Sequence, residues 1–272
     1  MPRPPRHGWT LGLLLAMPMA WSAPPAGGAS AVAFDAAFAT AMREGMGTTP
    51  AEGTAATEAL RATLPANDPL RTRRFEAMAC GAAQRDRKAA LAKADTLLAA
   101  EQARPSPDPT SLALLHACRA AYLVLGTDAS VVEAAYDAAV DAAQRSNDPM
   151  LLGQMLSWRS SAHSLSGEFA KSLIDALAAQ DVLDDSGEPF AIAANLQNVG
   201  IAYRRMGEQA RAEEYLLRSL EDEEIRSRWA YRMISLLQLG YLYDESGRYD
   251  EARRMLADAV ELCQRHESQA DC

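Results

Sequence analysis

Large apolar and small residues recur along this chain at spacings of three and four, with polar positions between them, which marks amphipathic helices. In NLQNVGIAYRRMGEQARAEEYLLRSL, residues Leu196, Val199, Gly200 and Tyr203 share one helix face. Gly207 then permits a turn, and Ala212, Leu216 and Ser219 share the inner face of a second helix. The order returns at Leu236, Leu239, Gly240, Tyr243, Gly247, Ala252, Leu256 and Ala259. No alternating strand pattern competes, so every periodic segment predicts helix.

A longer period organises these helices. Prolines stand at equal intervals, at Pro69, Pro109, Pro149 and Pro189, each behind an acid: Asp68, Asp108, Asp148 and Glu188. An acid at the N-cap accepts orphan backbone N–H groups, and proline at the next position lacks only a donor that had no partner. Two columns of small residues keep the interval: Cys80, Ala120, Ser160, Gly200, Gly240, and Ala99, Ala139, Ala179, Ser219, Ala259. Small residues at fixed places on consecutive helices let those helices approach closely. The expected fold is an all-α superhelix of helix–turn–helix units at 69–108, 109–148, 149–188, 189–228 and 229–268.

Residues 30–68 predict a divergent helix pair or cap, interrupted by Gly45, Gly47 and Pro50. Residues 1–29 have the layout of a secretory signal: Arg3 and Arg6, the 13-residue uncharged run Trp9–Trp21, then small residues. A membrane span needs about 20 apolar residues, so this run is too short, and export to a periplasmic or extracellular compartment is the expectation. Without residues 1–29 the chain carries 25 Lys plus Arg against 36 Asp plus Glu, a net charge of −11. That balance argues against nucleic acid or an anionic lipid surface as main partner.

Candidate chemistry is sparse. The sequence has no phosphate-cradling glycine loop, HExxH or GxSxG element, so no catalytic residue, metal site or cofactor is expected. His7, His116, His163 and His266 are scattered, and His163 falls in the column of Tyr203 and Tyr243, as a packed core residue would. The run Glu221–Glu224 reads as the solvated end of a helix. Cys80 reads most simply as a packing residue, although a Cys80–Cys118 bridge is within reach of neighbouring helices; Cys263 and Cys272 stand nine apart near the end.

The last two units resemble the tetratricopeptide repeat (TPR) family, whose helix pairs carry this order of large, small and aromatic positions. The period of 40 exceeds the 34 usual for the family, which longer helices or junctions such as RPSPDP can absorb. The resemblance implies a curved array whose first helices line a concave, partner-binding surface. On that face the expected ligand-binding residues are Trp158, Gln197, Asn198, Ile201, Arg204, Arg205, Gln238, Tyr241 and Asp244, suited to a peptide, a protein or a small ligand. LQNVGIAYRRMGEQARAEEYLLRSLE and LLQLGYLYDESGRYDEA, behind a signal, also look like the exported sensor region of bacterial membrane diguanylate cyclases. No second apolar span and no GGDEF motif are present, so cyclase activity is not carried over to these residues. The function expected is a binding or sensing module. The alternative is the input part of a truncated cyclase, in which this chain would be the periplasmic portion of an inner-membrane protein. The last unit lies close to consensus and only HESQADC follows it. A further helix or a second copy is therefore expected to cover its outer side.

Overall fold

The computed structural model describes residues 30–44, 50–80, 86–124 and 128–266. The signal-like segment, Gly45, Gly47 and Cys272 lie outside them. The described residues form thirteen helices and no strand: α1 (Ala31–Glu44), α2 (Pro50–Ala62), α3 (Pro69–Met78), α4 (Arg87–Gln102), α5 (Pro109–Leu123), α6 (Ala129–Ser146), α7 (Pro149–Ser166), α8 (Phe169–Ser186), α9 (Pro189–Arg205), α10 (Gln209–Glu221), α11 (Glu223–Ser227), α12 (Trp229–Glu245) and α13 (Tyr249–His266). Consecutive helices pack on one another from α4 to α13, and α5, α7, α9 and α12 also meet in turn. The result is a TPR-like superhelix.

The acid–proline pairs begin helices as the spacing requires. Asp68, Asp108 and Asp148 accept hydrogen bonds from the backbone N–H groups of Arg71, Ser111 and Leu151 at 3.0–3.1 Å. Glu188 does not cap α9 with its side chain, and α12 begins behind Arg228 with no proline. The turns inside the last two pairs close identically. Glu208 N–H donates to Tyr203 O at 3.0 Å, and Arg248 N–H to Tyr243 O at 2.8 Å. This helix-ending loop needs a left-handed residue, supplied by Gly207 (φ 82°) and Gly247 (φ 73°).

The small columns are the contact lines between paired helices, with one exception. Cys80, Ala120, Ser160, Gly200 and Gly240 are all buried, as are Ala139, Ala179, Ser219 and Ala259. Ala99 is exposed, because α4 buries Ala90, Ala94, Leu98 and Glu101 instead. A Cβ on Gly200 would stand 2.7 Å from Leu216 Cγ and 3.2 Å from the Leu216 nitrogen; on Gly240 it would meet Leu256 Cδ2 at 2.6 Å but no backbone nearer than 3.6 Å. Leu216 is fully buried and Leu256 only half-buried. Gly200→Ala is therefore expected to cost about 1–3 kcal/mol through overpacking. Gly240→Ala should cost less, since Leu256 has room to yield, while the gain of about 1 kcal/mol in helix propensity is common to both variants. Thermal melts of the two variants check the order.

Two readings need correction. The run Glu221–Glu224 is not simply a solvated helix end: Asp222 caps the short α11, accepting from Glu224 N–H at 2.9 Å, and Ile225 in that turn is fully buried. Cys80 is more than a packing residue, since it is bonded to Cys118 with 6.2 Å between their Cα atoms. Cys263 is also disulfide-bonded. His163 is buried as its column suggested, 3.6 Å from the Asp175 carboxylate that Arg159 grips with two hydrogen bonds at 2.7 Å.

Candidate functional site

The first helices of the pairs share one stripe of residues. At spacings of three and four along α7 it consists of Gln154, Ser157, Trp158 and Ser161, and one repeat period later the matching positions on α9 are Ala194, Gln197, Asn198 and Ile201. These eight residues line a groove of about 340 Å³, closed by Phe190, Tyr231 and Ile234. The same columns one period earlier, Leu114, Ala117, Cys118 and Ala121, line a second cavity of about 340 Å³ with Met78 and Tyr136. Trp158 and Gln154 border both, so the indole, 39% exposed, stands as the ridge between them.

Hydrogen bonds hold the groove floor rigid. Ser157 Oγ donates to Asn195 Oδ1 at 2.7 Å, and Asn195 Nδ2 donates to Ala176 O at 2.8 Å. Asn198 Nδ2 donates to Ser157 O at 3.2 Å, and Ser161 Oγ to Asn198 Oδ1 at 3.3 Å. Phe190 and Tyr231 meet edge to face, their ring centroids 4.9 Å apart. Aromatic walls around fixed amides suit an apolar side chain with peptide groups beside it.

The structure divides the nine residues named from sequence. Trp158, Gln197, Asn198 and Ile201 come together in the groove. Gln197, though, is buried and committed, donating to Tyr231 O at 2.7 Å and Ser235 Oγ at 2.8 Å, so it joins α9 to α12. Arg204, expected on an open face, is also buried and is ion-paired with Glu245. Burial pushes its guanidinium below the usual arginine range against the pull of Glu245. Its Nε and the Oε1 of half-buried Gln238 have no hydrogen-bond partner among the described residues. Tyr241, 45% exposed, lies beside Arg204, whose guanidinium stands 5.6 Å from its ring centre. Arg205 turns away toward Phe169 at the start of α8, 5.9 Å from that ring. Asp244 belongs to a different groove, of about 750 Å³ along α13, with Tyr249, Leu256 and Val260.

Sequence reasoning missed Gln154, Met78, Leu114, Tyr136, Phe190 and Tyr231. For the first three the signal was present: each lies a whole number of repeat periods from a groove position in a later unit. Phe190 and Tyr231 come from the starts of α9 and α12, where the period carries no fixed residue type. Among the described residues no group of three or more His, Cys, Asp or Glu is placed to hold a metal, and no helix is long and apolar enough to cross a membrane.

Comparison with known proteins agrees with this architecture. The tetratricopeptide repeat family matches residues 232–269, which take in most of α12 and all of α13. Comparison with curated proteins gives no match. Among solved structures, the crystal structure of BtubC (BKLC) from P. vanneervenii is similar with a TM-score of 0.57 and 20% identity, over 68% of this chain and 77% of that one. At that identity the likeness is one of fold. The chain thus has the features of a TPR-type repeat protein, a class that commonly serves as a scaffold for protein interaction.

Proposed function

We propose that this chain is an exported, non-enzymatic binding module that holds a protein or peptide segment against the concave stripe, as a sensing or assembly component. The observation that carries the reading is the groove itself: an exposed tryptophan and two aromatic walls around amides fixed by helix–helix hydrogen bonds. Export is supported by the signal-like N-terminus and by disulfide use, since structural disulfides persist in oxidising compartments. The resemblance of the last two units to sensor regions of membrane diguanylate cyclases supports a role as input to a signalling system. On this reading residues 69–268 form five repeat units, preceded in residues 30–68 by a divergent helix pair.

Truncating an aromatic anchor at the centre of such a groove costs about 2 kcal/mol or more, roughly thirtyfold in affinity. Trp158→Ala is therefore expected to weaken partner binding by that factor without changing the helical circular dichroism. Tyr241→Ala, at the edge, should weaken it less. The neutral control is Glu214→Ala, on the exposed side of α10. Neighbouring Glu213 is unsuitable, because it accepts from the Tyr243 hydroxyl at 3.0 Å and pairs with Arg248 at 2.8 Å. Equal losses at Trp158 and Glu214 would refute the concave assignment.

A further inference from the structure

We infer that the concave face is a receptor for an amphipathic helix with large apolar anchors at i, i+4 and i+8, and that α1 is a replaceable occupant of it in cis. The inference rests on the binding-module reading above and names the partner of that site. Helix α1 packs against α2, and beyond it against α3 and α9, and the Met42 carbonyl accepts a hydrogen bond from Gln154 Nε2 on α7 at 3.4 Å. It therefore reaches across the stripe from α3 past α7 to α9 instead of only stacking beside α3. Phe34 is fully buried and Met42 buried, with Phe38 half-buried between them, so the three anchors form one helix face about 12 Å long.

The receptor also recognises the direction of this helix. Asp35, in its early turns, receives two hydrogen bonds from Arg71 on α3, one of 2.9 Å from Nε. Met42 lies in the last turn, where helical carbonyls lack partners in their own helix, and Gln154 supplies a donor there. An acid in the second turn, an apolar face, and a last-turn carbonyl met by a donor describe a helix laid into a groove.

The occupant fits this groove loosely. Ala41 and Met42 border the 340 Å³ cavity between Met78, Leu114, Tyr136 and Trp158, so contacts available to a bulkier side chain are not made. A partner helix with an aromatic residue at the place of Ala41 would fill that space. Tethering gives α1 an effective concentration of about millimolar, which lets a loosely fitting helix hold the site until a better one arrives.

The test uses the full chain and a labelled synthetic peptide of residues 30–44. With α1 seated in about nine of ten molecules, the apparent affinity for the peptide falls about tenfold. Phe34→Asp in the chain is expected to restore that factor by expelling α1, and the milder Asp35→Asn to restore part of it. The peptide carrying Ala41→Phe should bind tighter than the natural one, and the peptide carrying Phe34→Asp should not bind. Equal peptide affinity in all three chains, with α1 amides as slowly exchanging as those of α9, would overturn the inference. A different partner captured on the concave face while α1 stays protected would also overturn it, and would leave the binding-module reading standing. A folded Phe34→Asp chain that takes neither peptide nor any other partner on that face would overturn both.

Discussion

Reducing the Cys80–Cys118 bridge is expected to destabilise the N-terminal part of the array by about 2–4 kcal/mol. The cysteines are 38 residues apart in sequence, and cross-linking a loop of that length removes unfolded-chain entropy worth about 4 kcal/mol in the simple loop model. The bridge also ties α3, only 10 residues long, to α5, against which it packs. Stability in a repeat array is a sum of unit and nearest-neighbour terms, so the loss should stay local. Hydrogen exchange with and without reductant checks this: faster exchange is expected across α3 and α4, and little change across α9 to α12. Cys80→Ala with Cys118→Ala should reproduce the pattern. A uniform loss along the chain would show that the array melts as one body.

Asp108→Ala is the second large effect, expected at about 2–4 kcal/mol from a lost helix cap and a broken, mostly buried ion pair. This carboxylate accepts from Ser111 N–H at 3.0 Å, from Ser111 Oγ at 2.8 Å, and from Arg74 Nε and Nη2 at 3.0 and 2.9 Å. Its own N–H donates to buried Glu101 at 2.6 Å, which Arg73 meets at 2.8 Å. Asp108 is thus the hub of the network that fixes the junction between α4 and α5. Burial alone would raise the Asp108 carboxyl, but the hydrogen bonds from Arg74 and Ser111 outweigh it and hold it below its ordinary 3.8. A carboxylate depressed in the folded state contributes stability above its unfolded pKa and loses it as pH falls through the folded value. Asp108→Asn should therefore melt lower than the parent at neutral pH, and the difference should shrink as pH drops below 3.8. A constant difference across that range would mean that the charge contributes nothing.

How much of this was legible in the sequence depends on how local the cause is. The prolines at 69, 109, 149 and 189 announced helix starts because cap chemistry acts within four residues. Gly200, Gly240, Gly207 and Gly247 were readable because close approach and a left-handed turn each exclude most other side chains. Ala99 misled because alanine fits buried and exposed positions alike, so α4 could shift its buried face to Leu98 without altering the small-residue column. The candidate site was legible by period more than by residue type. Trp158, Asn198 and Ile201 line one groove, and Gln154 and Met78 could have been found by stepping back from them by whole periods. The burial of Gln197 and Arg204 was not legible, since it depends on Ser235 and Glu245 arriving from α12. Nor was the path of α1. Its Phe34, Phe38 and Met42 repeat shows an apolar face, but which surface covers that face is decided by helices distant in sequence, α7 and α9 among them.

The most direct measurement is photo-crosslinking in intact cells from a reactive residue placed at Trp158, with the same residue at Glu214 as comparison. One partner adduct is expected from position 158, recovered with the exported fraction, and none from position 214. Adducts from position 214 alone, or from neither position while the chain is folded and exported, would contradict the claim that the concave stripe is where this protein works.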